Sequence, residues 1–246
     1  MNPVLREGIS LHFVEGHLFR AYFFSLTLLA SIQCLLAFLS FFDPQAWLGR
    51  AYLFHLSAVA ALTLAIYLSL RVGNQEFAPR TSRTVRFWFH EEGLRFREVA
   101  LGQIGLLALH SLVFVAVSFP LLLWAAAIAR PGAGDVQATL LLLMFYSLVY
   151  GMWGLVASTF WQSLESRQFF TRCLFGFFVF LSGLVHWSLN PVAYLLFHLG
   201  WVDLGKPILI WGFAWSPSQV HFVVHFFLLA AALLTYLRAL KREGYL

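Results

Sequence analysis

Histidine is the residue in this chain best suited to hold a metal or a haem. His55, His186, His198, His221 and His225 gather toward the same ends of its apolar segments. His221 and His225 stand four residues apart, so on a helix they share a face and could bind a metal or flank a haem. A zinc protease would need glutamate directly after the first histidine, and that position is Phe222. The plainer expectation is that these histidines are hydrogen-bonded or half-solvated near the membrane interface and bind no metal. The stretch Gly200-Trp201-Val202-Asp203-Leu204-Gly205-Lys206-Pro207 follows a phosphate-binding loop until its last position, where Pro207 replaces the hydroxyl residue that would hold Mg²⁺. The match reads as coincidence, and if ATP drives this protein another chain binds it. Cys34 and Cys173 lie within or at the edge of apolar segments and read as small apolar filler rather than a disulfide framework.

The elements that carry these residues are membrane-like. Charged residues make up 11% of the 246, hydrophobic residues 61%, and mean hydropathy is +0.78; a soluble domain carries about 25% charged residues. A hydrocarbon core ~30 Å thick needs ~20 apolar residues. Six stretches meet or approach that length: Ala21–Phe42, Ala51–Leu70, Leu101–Ile128, Val136–Phe160, Cys173–Leu189 and Val220–Leu240. None contains Asp or Glu, which argues against a relay of paired acids. His110 is the ionisable group set deepest in a span, and a hydrogen bond to a neighbouring helix is expected for it. No signal-peptide pattern is apparent in the first twenty residues.

The sixteen Lys and Arg are distributed asymmetrically. With both termini cytoplasmic, thirteen fall inside and Arg50, Arg130 and Lys206 fall outside. That distribution is what the positive-inside rule expects, so the net charge of +5 is a topology signal, and no nucleic-acid partner is implied. The longest polar break, Arg71 to Gln103, holds six Arg, four Glu and no Lys; it is the cytoplasmic connection between the second and third spans. Residues Val4 to Arg20 carry Leu11, Val14 and Leu18 at helical spacing among charges, which suits an interfacial helix. Pro120 should bend the third span, and Arg130-Pro131-Gly132-Ala133-Gly134-Asp135 is a turn. Gly151, Gly154 and Ser158 form a small-residue stripe, open either to packing within the chain or to a subunit interface. Pro191–Leu199 and Pro207–Trp215 are too short to cross and read as re-entrant or interfacial helices. Past the sixth span Lys241-Arg242-Glu243 closes the chain, and no C-terminal soluble domain is expected.

Several segments carry a resemblance: Asn2-Pro3-Val4-Leu5-Arg6-Glu7 at the start; Arg97-Glu98-Val99-Ala100-Leu101-Gly102-Gln103; Ser118-Phe119-Pro120-Leu121-Leu122; Gly154-Leu155-Val156-Ala157-Ser158 followed by Arg167; and Asn190-Pro191. In order and span count the chain resembles the type-two permease family of ATP-binding-cassette (ABC) exporters. The family's Gly-Thr-x-Glu step and its Thr-Pro fall on Thr84-Val85-Arg86-Phe87 and Glu92-Gly93, where neither pattern is kept.

The resemblance implies an all-α, polytopic fold in one permease domain, residues 1–246. It comprises an interfacial helix (1–20), six transmembrane helices, a cytoplasmic coupling helix between the second and third (71–100) and short re-entrant helices between the fifth and sixth (190–219). It implies a non-enzymatic subunit in the plasma (inner) membrane, surrounded by lipid, that pairs with a second permease, as a homo- or heterodimer, and with ABC ATPase subunits. ATP and Mg would bind in that partner, with no cofactor in this chain. Arg83, Arg86, Phe87, Trp88, Phe89, Glu91, Glu92, Arg95 and Arg97 offer the aromatic anchors and charges for docking the ATPase. By the same resemblance the second and fifth spans face the dimer axis, with Tyr52, His55, Tyr67, Phe175, Phe178 and Phe180 lining a path for a lipid, lipid-linked glycan or drug. The rival expectation is a six-span haem or metal protein using His221 and His225.

Overall fold

A computed structural model describes residues 2–42, 51–77, 88, 91–161, 163–210 and 212–243. Its long helices are α2 (His17–Phe42), α3 (Ala51–Gly73), α4 (Phe96–Ala129), α5 (Ala133–Phe160), α6 (Leu164–Gly176) and α9 (Pro217–Glu243). The short ones are α1 (Pro3–Ile9), α7 (Ser182–Val185) and α8 (Pro191–His198). A π-helical turn, Phe177–Leu181, joins α6 to α7, so Leu164–Val185 runs as one 22-residue apolar segment. With it there are six helical segments long and apolar enough to cross a membrane. The chain is a multi-pass membrane protein by that measure.

Two spans form the interior. In α3 and α5, 67% of the most apolar window is buried, against 17% to 28% in the other four. Lipid gives helices no hydrophobic reason to associate, so their contact depends on close packing by small residues. Here the small residues are glycines. A Cβ on Gly73 would lie 2.2 Å from the Gly151 carbonyl oxygen, and one on Gly154 would lie 2.3 Å from that of Leu70. Gly151 and Gly154 of the α5 stripe thus pack within the chain, against α3. α4 lies across the same pair: a Cβ on Gly151 would meet Leu107 at 2.3 Å.

The N-terminal segment departs from one continuous helix. After α1 comes a π-helical turn, Ser10–Val14, and Gly16 sits at φ +76° before α2 begins. Only glycine adopts that conformation without a steric cost, so the chain bends there. α1 packs on α4, because a Cβ on Gly102 would overlap Val4 and one on Gly8 would overlap Leu106.

The fifth span starts earlier than the apolar pattern suggests, at Leu164 rather than Cys173. Arg167, Gln168 and Arg172 hid its first turns, and Arg167 is tied back to the end of α3 by a hydrogen bond to the Asn74 carbonyl. After α7, Asn190 places α8. Its Oδ1 accepts from the Val192 and Ala193 N–H groups at 2.8 and 2.9 Å, and its Nδ2 donates to the Val179 carbonyl inside the π turn at 2.9 Å. With Pro191 at the first helical position, that is a well-formed N-terminus.

Pro207–Trp215 is not a helix. It contains an antiparallel hairpin, β1 (Ile208–Ile210) with β2 (Phe213–Trp215), pairing Ile208 with Trp215 and Ile210 with Phe213. Gly212 at φ +81° makes the turn, and branched and aromatic side chains fit the strands better than a nine-residue helix. At the other turns, Arg130 at φ +54° ends α4, and the Gly132 N–H donates to Asp135 at 2.9 Å to start α5.

Candidate coupling face and buried polar side chains

One end of the bundle gathers the N-terminal segment, the end of α3, the start of α4 and the start of α6. Asn2 joins the first of these to the third. Its Oδ1 accepts from the Leu5 N–H at 3.1 Å and so caps α1, while its Nδ2 donates to the Glu98 carbonyl at 2.6 Å. The Glu98 carboxylate in turn accepts from the Arg95 N–H at 2.8 Å and caps α4. The segments Asn2–Glu7 and Arg97–Gln103 therefore interlock, with Gly102 leaving room for Val4.

Beside this joint, Glu91, Glu92, Arg95 and Arg97 are exposed. Trp88 differs from the expectation of an outward anchor. It is 4% exposed and packs in a core cluster with Val4, Val99, Ala100, Leu155 and Tyr236. Its carbonyl accepts from the Leu94 N–H at 2.9 Å. The indole packs into the bundle's core rather than standing exposed on its surface. Arg83, Arg86, Phe87 and Phe89 lie outside the described residues, as do the other positions of 78–90 apart from Trp88.

A second joint links the end of α3 to α6. Arg71 Nε donates to Glu76 Oε2 at 2.6 Å, and Asn74 Nδ2 donates to Glu76 Oε1 at 2.7 Å. Thr171 Oγ1 lies 3.2 Å from the same Glu76 oxygen and 3.1 Å from Asn74 Nδ2, while Arg167 Nη1 donates to the Asn74 carbonyl at 3.0 Å. The Arg71 guanidinium also lies over the Phe77 ring at 4.5 Å and the Tyr67 ring at 5.3 Å. Apart from the arginines, nothing in the sequence reading pointed to this cluster. Its available signal was Gly73-Asn74-Gln75 at a helix end followed by a single acid.

The expected path residues divide into separate groups. Tyr67 and Phe175 meet edge-on at 5.2 Å, and Phe175 meets Phe180 at 5.9 Å. Phe178 packs instead on Tyr150 at 5.1 Å. Tyr52 and His55 lie at the far end of α3, around Trp201, at 4.4 and 5.3 Å. The second span is interior and the fifth is the least buried.

His221 and His225 are buried and fully engaged. His221 Nδ1 lies 2.6 Å from the Ser188 carbonyl and His225 Nδ1 lies 2.9 Å from the His221 carbonyl. A carbonyl only accepts, so each Nδ1 carries the proton and each Nε2 keeps its lone pair. Those lone pairs face the hydroxyls of Tyr146 and Tyr150, the second at 3.0 Å. Tyr194 stacks on His221 at 4.0 Å. A metal or haem iron would have to displace the tyrosines to reach either nitrogen, so the pair does not fit the metal or haem expectation. Among the described residues no three His, Cys, Asp or Glu are grouped to hold a metal ion.

His110, in α4, has the neighbouring-helix partners expected of it. Tyr22 from α2 bonds its Nδ1 at 2.5 Å and Ser69 from α3 its Nε2 at 3.1 Å. Ser69 continues to Ser147 of α5, which lies 2.9 Å from Ser111. This line stitches four helices together with every hydroxyl used. The chain matches no family model, no curated protein and no solved structure.

Proposed function

We propose that this chain is the membrane-spanning permease subunit of an ABC exporter. It works in the plasma (inner) membrane with both termini cytoplasmic, beside a second permease and two ATPase subunits that bind ATP and Mg. Its cargo is hydrophobic or amphipathic: a lipid, a lipid-linked glycan or a drug. The observation that carries this reading is the interlock of Asn2, Glu98 and Gly102 at the foot of α4. It makes a rigid base directly behind the exposed Glu91, Glu92, Arg95 and Arg97, which is what a lever needs if a separate motor is to push on it. Aromatic Trp88 contributes to that stiffness from inside.

The test is co-purification from native membranes. An ATP-hydrolysing subunit should accompany the wild-type chain, and reversing the four exposed charges (E91R, E92R, R95E, R97E) should release it while membrane insertion stays intact. Purification of the chain without any such subunit, or retention of it by the charge-reversed variant, overturns the proposal. A Soret band in the purified protein would do the same in favour of a haem protein.

A further inference from the structure

Glu76 is an enclosed carboxylate at the coupling end, its side chain 5% exposed. It joins two elements that are far apart in sequence. On one side are Arg71 and Asn74 at the end of α3, and on the other Thr171 in α6. Arg167 of α6 closes the ring through the Asn74 carbonyl. The turn that delivers Glu76 is itself forced. The Glu76 N–H bonds to the Arg71 carbonyl and the Gln75 N–H to that of Val72, both at 3.0 Å, which leaves Gln75 at φ +62°. Side chains other than glycine and asparagine rarely occupy that position, and such a conformation persists only where surrounding contacts over-determine it.

We infer that Arg71, Asn74, Glu76, Arg167 and Thr171 form a strut that makes the turn after α3 and the first half of α6 move as one body. α3 is clamped to α5 by backbone contact at Gly73 and Gly154. α6 has the smallest buried share of any span and ends in a π-helical turn. A displacement that reaches the turn after α3 therefore passes through the Glu76 carboxylate into α6, the span with least to hold it back. The source of that displacement rests on the proposed function; the mechanical link between turn and helix does not.

Two measurements separate the ideas. In the first, spin labels replace Phe169 of α6 and Leu101 of α4, which are 70% and 68% exposed, in a chain whose Cys34 and Cys173 are serines. Adding ATP and Mg to the complete complex should change their separation. Glu76→Ala should abolish the change without releasing the ATPase, and Glu76→Gln, whose amide oxygen still accepts from Asn74 and Thr171, should retain it. A change that survives Glu76→Ala, or a wild-type complex in which α6 stays still, overturns the strut. The second is hydrogen exchange on this chain alone in lipid nanodiscs. Glu76→Ala should expose the amides of 72–77 and 164–173 together, and exposure of only one segment overturns the link. If no ATPase accompanies the wild-type chain, the functional reading falls while the exchange result still decides the strut.

Discussion

Trp88 and its neighbours Phe87 and Phe89 form an aromatic triplet in a polar stretch, and a side chain of that kind must be covered by something. In Trp88 the cover is the chain's own core, with Val4 from α1 and Tyr236 from α9 among the neighbours. Trp88→Ala should therefore act on stability rather than on docking alone, costing about 3 kcal/mol through the cavity it leaves. Thermal unfolding in detergent checks this, and an unchanged midpoint would contradict the burial. The histidine pair makes the same point about legibility. Spacing places His221 and His225 on one helix face, but their hydroxyl partners, Tyr146 and Tyr150, are 75 residues away. No local pattern could have announced them.

At the scale of elements, the α3–α5 crossing is the contact on which the other helices depend. A methyl at Gly154 would fall 2.3 Å from a backbone carbonyl that cannot rotate away, so the helices must separate. Gly154→Ala should cost about 2 kcal/mol or more. Gly134→Ala, with nothing within 4 Å of the added carbon, should be tolerated. The comparison is read from folded yield and unfolding midpoint in the same detergent, and equal behaviour of the two variants would refute the close crossing. Elements that rely on apolar length alone were legible in order, and Pro131-Gly132 marked its turn correctly. The start of α6 was not, because Arg167 looks like a loop residue until Asn74 is brought beside it. The hairpin at Ile208–Trp215 was read as a helix because nine apolar residues carry no period that separates the two.

For the whole molecule, the asymmetry of thirteen basic residues against three sets the orientation expected in a bilayer. The structure gathers Asn2, Arg71, Glu98 and Arg167 at one end of the bundle. Gly134 lies at the opposite end, in the first turn of α5. With Cys34 and Cys173 replaced by serine, a membrane-impermeant maleimide applied to intact cells should label Gly134→Cys at once. Arg97→Cys should react only after permeabilisation. The reverse order would overturn the orientation and, with it, any role for the Glu91–Arg97 surface in meeting a cytoplasmic motor.

The sequence alone determined that six segments are long and apolar enough to cross a membrane, and their order, because each depends on composition over about twenty residues; the count of Lys and Arg supplies the orientation expected of them. Tertiary structure decided which helices form the interior, that Trp88 turns inward, and that Glu76 reaches Thr171 across 95 residues. Those outcomes depend on backbones approaching at glycines and on polar groups finding partners in a solvent that supplies none; the Gly151–Gly154 spacing marks one close-packing face but not the helix it meets, and polar pairing between distant residues leaves no periodic trace along the chain.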